Sequence, residues 1–340
     1  MKVSLQFIAD KAKVSKSLVS KVLNGKEVRV SKETKNKIET IAKKYNYIPN
    51  RMAAGLRTNK TKIIGCVMPG LYSDFFSELV SSIEAKAQAR GYQIILCNAR
   101  EDVQLERKYL EFFRSGMMDG LIVNPSDNVA NLDMFQNMKA QKYPFVFVDR
   151  YIDQIGASYV CSDGYLGGYV LTKELIQKGH KRILFMSHGK ARNTSVQVER
   201  FAGYEQAMLD NGLRTERVYM SYDGPIAERE TYKILSEDNK PTGIVLVSSW
   251  DINYLLQILR TLSLSIPNDI DLATFDNFSM SYSDKESMQL AECIHETPII
   301  AQQNPRHMGE YAVEIICEMI EKGNNAQEKV YLTPLIKERE

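Results

Sequence analysis

Cysteine, histidine and tryptophan are scarce in this 340-residue chain, which has five, four and one of them. Cys66, Cys97, Cys161, Cys293 and Cys317 are widely spaced and form no CxxC pair. That pattern argues against a disulfide frame or a zinc cage and predicts a reduced, cytoplasmic protein. His180, His188, His295 and His307 have no ligand spacing with a carboxylate or a cysteine, so no metal is expected. No apolar run approaches the roughly 18 residues of a membrane span. Met1-Lys-Val-Ser-Leu-Gln6 lacks the apolar core of a secretory signal. A Walker loop, HExxH, a nucleophile elbow and a GxGxxG in context are also missing. Neither a catalytic residue nor a cofactor is therefore expected. Gly164, Gly167 and Gly168 read better as a helix approaching a sheet closely than as a cofactor loop.

Excess charge also looks absent, at +2 overall from 44 basic and 42 acidic residues. The balance is a cancellation. Residues 1–62 carry 16 Lys and Arg against Asp10, Glu27, Glu33 and Glu39, a local +12, and the rest of the chain carries −10. A basic head joined to an acidic body directs the search for polyanion binding to the head.

Three short helical patterns fill residues 1–46. Leu5, Ile8, Ala9 and Ala12 recur on one helical face. Ser15 can cap a second helix with Leu18, Val19, Val22 and Leu23 inward, ended by Asn24-Gly25. Ser31 can cap a third with Ile38, Ile41, Ala42 and Tyr45 on one face. Two helices with a tight turn, braced by a third, describe a helix-turn-helix whose second helix would enter the major groove. Lys16, Ser17 and Lys21 are the candidates for reading base edges, with Ser15, Ser20 and Asn24 beside them. Lys2, Lys26, Arg29, Lys32 and Lys35 suit phosphates. The alternative is a small helical domain with a solvated lysine face.

From Lys62 the chain alternates strand and helix. Buried-strand runs are Ile63–Met68, Gln93–Cys97, Gly120–Val123 and Phe145–Val148, then Arg182–Met186, Val218–Met220, Ile244–Val247 and Asp271–Thr274. Two such series predict an α/β body of two parallel-sheet lobes, with ligands bound at strand carboxyl ends in the cleft between them. Candidates at those ends are Tyr72, Ser73, Phe75 and Phe76, then Asp149 and Arg150. The second series adds Arg200, Tyr222, Ser248, Trp250 and Asp276. Carboxylates and guanidiniums suit adjacent hydroxyls, and aromatic rings suit the apolar face of a pyranose. Taken singly, Asp149 and Asp276 could cap helices and Trp250 could be core.

Val14-Ser-Lys-Ser-Leu-Val-Ser-Lys-Val-Leu-Asn24, with Val30-Ser31 and Tyr47-Ile-Pro-Asn50, resembles the head of the lactose-repressor (LacI/GalR) family of bacterial regulators. Gly116–Val123, Gly179–Ile183, Arg200–Tyr204, Ile266–Ile270, Phe275-Asp276-Asn277 and the tail from Leu332 to Arg339 extend the resemblance over the body. Leu18 stands where that family has Thr, Lys21 where it has Arg and Lys13 where it has the turn Gly. Ser248-Ser249 replaces its Asn-Asp, and Ser279–Gln303 is longer than usual where the chain should cross between lobes.

The resemblance implies a periplasmic-binding-protein-like body and a hinge helix in residues 47–61. That helix would fold only on DNA, with Asn50, Ala53 and Leu56 at the minor groove and Leu56 wedged between base pairs. It also places Asp149, Arg150, Arg200, Tyr222 and Asp276 around an effector. The expected organisation is a DNA-binding head (1–46), the hinge (47–61) and an effector-binding and dimerisation body (62–340). Its first lobe would be about 62–161 plus 298–323, and its second 162–297 plus 324–340. The expected function is a homodimeric (or larger) transcription regulator, a repressor on operator double-stranded DNA. Its effector would be a sugar or sugar phosphate, with no membrane involved. The rivals are a sugar-binding receptor without a DNA role and, third, a two-lobed α/β enzyme.

Overall fold

The computed structural model describes residues 3–23, 27–47, 60–114, 118–188, 194–220, 225–277, 292–323 and 327–337, with the backbone alone at 188 and 225–228. It divides into two compact units, Met1–Thr61 and Lys62–Glu340.

The smaller unit packs helices α1 (Leu5–Ala12), α2 (Lys16–Leu23) and α3 (Lys32–Lys44) around Ile8, Ala9, Ala12, Val19, Val22 and Ile38. Serines start all three helices. The Ser4, Ser15 and Ser31 hydroxyls accept from the backbone N–H of Phe7 (3.2 Å), Leu18 (3.1 Å) and Thr34 (3.2 Å), each satisfying an orphan donor of a first turn. The turn after α1 runs through Lys13 in the left-handed region, at φ 58°. A lysine thus holds a conformation that glycine adopts without steric cost.

The larger unit contains two six-stranded sheets. In chain order its elements are β1 (Ile63–Met68), α4 (Asp74–Ala89), β2 (Gln93–Asn98), α5 (Val103–Arg114), β3 (Gly120–Val123), α6 (Leu132–Ala140), β4 (Phe145–Val148) and β5 (Tyr159–Ser162). Then come α7 (Gly164–Gln177), β6 (Ile183–His188), α8 (Ser195–Asp210), β7 (Glu216–Met220), α9 (Pro225–Leu235), β8 (Gly243–Leu246), α10 (Ile252–Thr261), β9 (Asp271–Phe275), β10 (Ile299–Gln302), α11 (Pro305–Lys322), β11 (Lys329–Leu332) and β12 (Leu335–Lys337). The first sheet has the order β11-β5-β4-β3-β1-β2 and is parallel throughout. The second has the order β12-β10-β9-β8-β6-β7, with β12 antiparallel. Its central strands β8 and β9 are buried along their whole length, as helices on both faces of a parallel sheet require.

The expected lobe boundaries need correction after Pro298. β10 pairs with β9, Ile299 opposite Ala273, and buries Ile299, Ile300 and Ala301 in the second lobe, not the first. α11 does belong to the first lobe, where Met308, Val313 and Ile316 pack with Leu79 and Ile83 of α4. β11, expected in the second lobe, pairs with β5 of the first, Lys329 opposite Tyr159, and only β12 returns. The late crossings therefore fall between β10 and α11 and between β11 and β12. β9, before the Ser279–Gln303 segment, and β10, at its end, pair in one sheet, and residues 278–291 lie outside the described residues.

Candidate functional site

Parallel strands of both lobes point their carboxyl ends at one cavity of about 330 Å³. Tyr72, Ser73, Phe75, Phe76, Asp149, Arg150, Arg200, Ser248, Trp250 and Asp276 all line it. Tyr222, the remaining candidate for this site, lies outside the described residues.

Two aspartates form the floor. Asp149 follows β4 and Asp276 follows β9, third strands in their respective sheets, and both have left-handed backbones, with φ 62° and 63°. The Asn124 amide donates to Asp149 Oδ2 at 2.9 Å. Gln303 gives Asp276 its backbone N–H at 3.1 Å and its side-chain Nε2 at 2.6 Å. Arg200 is 4 % exposed and reaches in from α8. Its Nη1 donates to the Val247 carbonyl at 2.6 Å, and its guanidinium carbon stands 3.7 Å from the Phe275 ring centroid. Cation–π contact and a carbonyl together fix the group.

Burial pushes both aspartates above the usual carboxylate range, against the pull of Arg150 and Arg200 on Asp149 and of Arg200 and Gln303 on Asp276. Burial lowers Arg200, and the two aspartates oppose it. A carboxyl raised on folding contributes stability that is complete below its unfolded pKa and is lost as pH rises through its folded value. The larger unit should therefore lose stability as pH rises above the usual carboxylate range. Asp276→Asn, which cannot titrate, should flatten that part of a plot of urea midpoint against pH. An unchanged slope would assign the titration elsewhere.

Three contributors escaped the sequence reading. Glu101, beyond β2, takes both Arg150 Nη atoms at 2.9 and 3.0 Å and accepts the Tyr72 hydroxyl at 2.9 Å. Gln303 follows β10, a strand that the apolar runs did not reveal. Asp251, fully buried, lines the cavity close to the serines Ser248 and Ser249, so this wall keeps a carboxylate. Ser248 and Ser73 spend hydroxyls on local caps, accepting from Trp250 N at 3.3 Å and Phe76 N at 3.4 Å.

The aromatic rings differ from expectation. Trp250 is 40 % exposed and so is not core. Tyr72 of the first lobe and Trp250 of the second meet with ring centroids 4.6 Å apart and planes tilted 37°. That is the spacing of two rings in direct contact, with no room for a third between them. They roof the cavity and do not sandwich a ligand. Elsewhere the lobes are joined by Tyr151, whose N–H donates to Ser195 Oγ at 3.0 Å and whose hydroxyl donates to Glu199.

In the head, Lys16, Ser17, Lys21 and Arg29 are exposed, Ser20 is half-buried, and the Ser15 hydroxyl caps α2. Asn24, Asn50, Ala53 and Leu56 lie outside the described residues.

A helix-turn-helix unit and a two-lobed body holding a ligand-sized cavity define a class, that of DNA-binding regulators with an effector-binding domain. The profile of the bacterial regulatory proteins of the lacI family matches residues 4–50, and that of periplasmic binding proteins and the sugar-binding domain of the LacI family matches 61–328. The chain belongs to the LacI family and is a DNA-binding transcription regulator. It is 32 % identical over 289 residues to the HTH-type transcriptional regulator RegA of Clostridium saccharobutylicum, covering 83 % of this chain and 85 % of RegA. It is 28 % identical over 349 residues to the probable regulator EndR of Paenibacillus polymyxa, covering 100 % and 98 %. Its fold matches that of the Lac repressor dimer bound to operator and the anti-inducer ONPF, with TM-score 0.82, 21 % identity and coverage of 100 % and 98 %.

Proposed function

We propose that this regulator is a repressor, that it acts as a homodimer on a two-fold DNA site, and that a sugar-like polyhydroxyl effector bound between its lobes controls it. The convergence of Asp149, Arg200 and Asp276 on one enclosed cavity carries the effector reading, because each presents polar atoms to adjacent hydroxyls. The sugar-binding description of the matching family supports it, and the Lac repressor structure supports a dimer on operator DNA. A reduced, cytoplasmic setting fits five free cysteines, and no described helix is long and apolar enough to cross a membrane.

Two linked equilibria supply the mechanism. The Tyr72–Trp250 and Tyr151–Ser195 contacts join the lobes in the arrangement described. A ligand that favours one lobe arrangement changes DNA affinity, and DNA changes ligand affinity by the same factor. In the head, Lys21 and its neighbours on α2 read bases, and Arg29 and Lys35 hold phosphates. In the hinge, Leu56 wedges between base pairs, with Asn50 and Ala53 beside it.

Selection of duplexes from a random pool tests the DNA side. The bound sequences should share a two-fold repeat. Lys21→Ala should relax preference at one position per half-site by about 1–3 kcal/mol, whereas Lys35→Ala should weaken all duplexes alike. A selected site without repetition removes the homodimer, and an unchanged preference in Lys21→Ala removes Lys21 from base reading.

A further inference from the structure

We infer that the ligand is rich in hydrogen-bond donors and bears no phosphate or carboxylate, being a neutral polyhydroxyl compound in which an amino group is accepted. This rests on the cavity being the effector site and narrows that reading from sugars and sugar phosphates together. The cavity's own hydrogen bonds decide the matter. The Gln303 amide nitrogen is committed to Asp276, which turns its oxygen the other way, and that Oε1 is buried with no partner among the described residues. Gln197 Oε1, on another wall, is likewise buried and unpartnered among them.

Several of the donors are already engaged. Both Arg150 Nη atoms serve Glu101, the Tyr72 hydroxyl serves the same carboxylate, and Arg200 Nη1 serves Val247. Arg200 Nε is the buried cavity donor left unpartnered among the described residues. Ionised phosphates and carboxylates only accept hydrogen bonds, so here they would meet acceptors and leave them unsatisfied. Hydroxyls both donate and accept, and ammonium groups only donate, so both suit the site.

Charge points the same way. Among the described lining residues, Asp74, Glu101, Asp149, Asp251 and Asp276 face three guanidiniums, those of Arg100, Arg150 and Arg200. Arg100 is exposed at the rim, as is Asp74, where water screens both. An anion inside the chamber would have to displace Glu101 from Arg150 or lie beside two buried aspartates.

The test is calorimetric titration of the full chain with matched sets of probes: hexoses and pentoses, their amino-deoxy analogues, their terminal phosphate esters and their uronates. At least one neutral or amino sugar should bind, with its phosphate and uronate weaker by tenfold or more. Gln197→Met, which removes the buried amide, should weaken that sugar at least fivefold. A phosphate or uronate that binds more tightly than its parent overturns the inference and leaves the cavity as an effector site. Failure of every amino analogue of a bound sugar overturns the amino-group part. Failure of every probe overturns the sugar-like effector reading itself.

Discussion

Gly168→Ala should destabilise the second lobe and disable the cavity with one methyl group. Helices α7 and α8 cross so closely that a Cβ at Gly168 would stand 2.1 Å from the carbonyl oxygen of Arg200, and one at Gly203 would stand 2.0 Å from that of Tyr165. Backbone obstructs both positions, so no side chain can rotate away and the helices must part. Overpacking that side chains absorb costs about 1–3 kcal/mol, and a backbone clash belongs at or beyond the upper end. The better helix propensity of alanine returns only about 1 kcal/mol. The displaced carbonyl is that of Arg200, so its guanidinium leaves Phe275 and the Val247 carbonyl when the helices separate. Urea denaturation should show a lower midpoint for Gly168→Ala, together with loss of ligand binding. Gly243→Ala is the comparison, since its Cβ would meet only side chains, at 3.3 Å and beyond. Equal losses from the two substitutions would show that the helix crossing is not limiting.

That crossing also shows what the sequence could and could not disclose. The cluster Gly164, Gly167 and Gly168 suggested a helix lying close to a sheet, and a Cβ at Gly167 would indeed meet the Phe275 ring of β9 at 2.5 Å. Gly168 faces a second helix instead, and no periodicity in α7 names its partner. Asp149 and Asp276 were legible because apolar runs mark strand ends, and strand ends of open sheets surround ligands. The same rule applied past β2 would have found Glu101. Gln303 was missed because Ile299–Gln302 was not read as a strand. The lobe assignment of β11 failed for a different reason. β11 alternates exposed and half-buried residues, and whether it pairs with β5 or with the other sheet depends on long-range contacts alone. Composition supplied Tyr72 and Trp250, but their contact with each other depends on the approach of the two lobes.

Arg200→Met should produce the second large effect, and its pH dependence separates charge from packing. Arg200 lies buried within the electrostatic reach of both Asp149 and Asp276. Removing one partner from a buried charged group costs about 3–5 kcal/mol, because the charge left behind is uncompensated. The aspartates have an escape, which is protonation. Without the guanidinium their carboxyls should move further up, so the variant loses least at acid pH, where they are already neutral, and most at neutral and alkaline pH, where they must ionise. Urea midpoints at pH 5 and pH 8 should show the gap between wild type and variant widening with pH. An equal gap at both values would mean that Arg200 acts through its packing on Phe275 and its bond to Val247. The head's core is built from its own residues, among them Ile8, Val19 and Ile38, so the variant should still bind duplex DNA. It should no longer respond to a ligand, since the guanidinium that acts electrostatically on both aspartates of the cavity floor is gone.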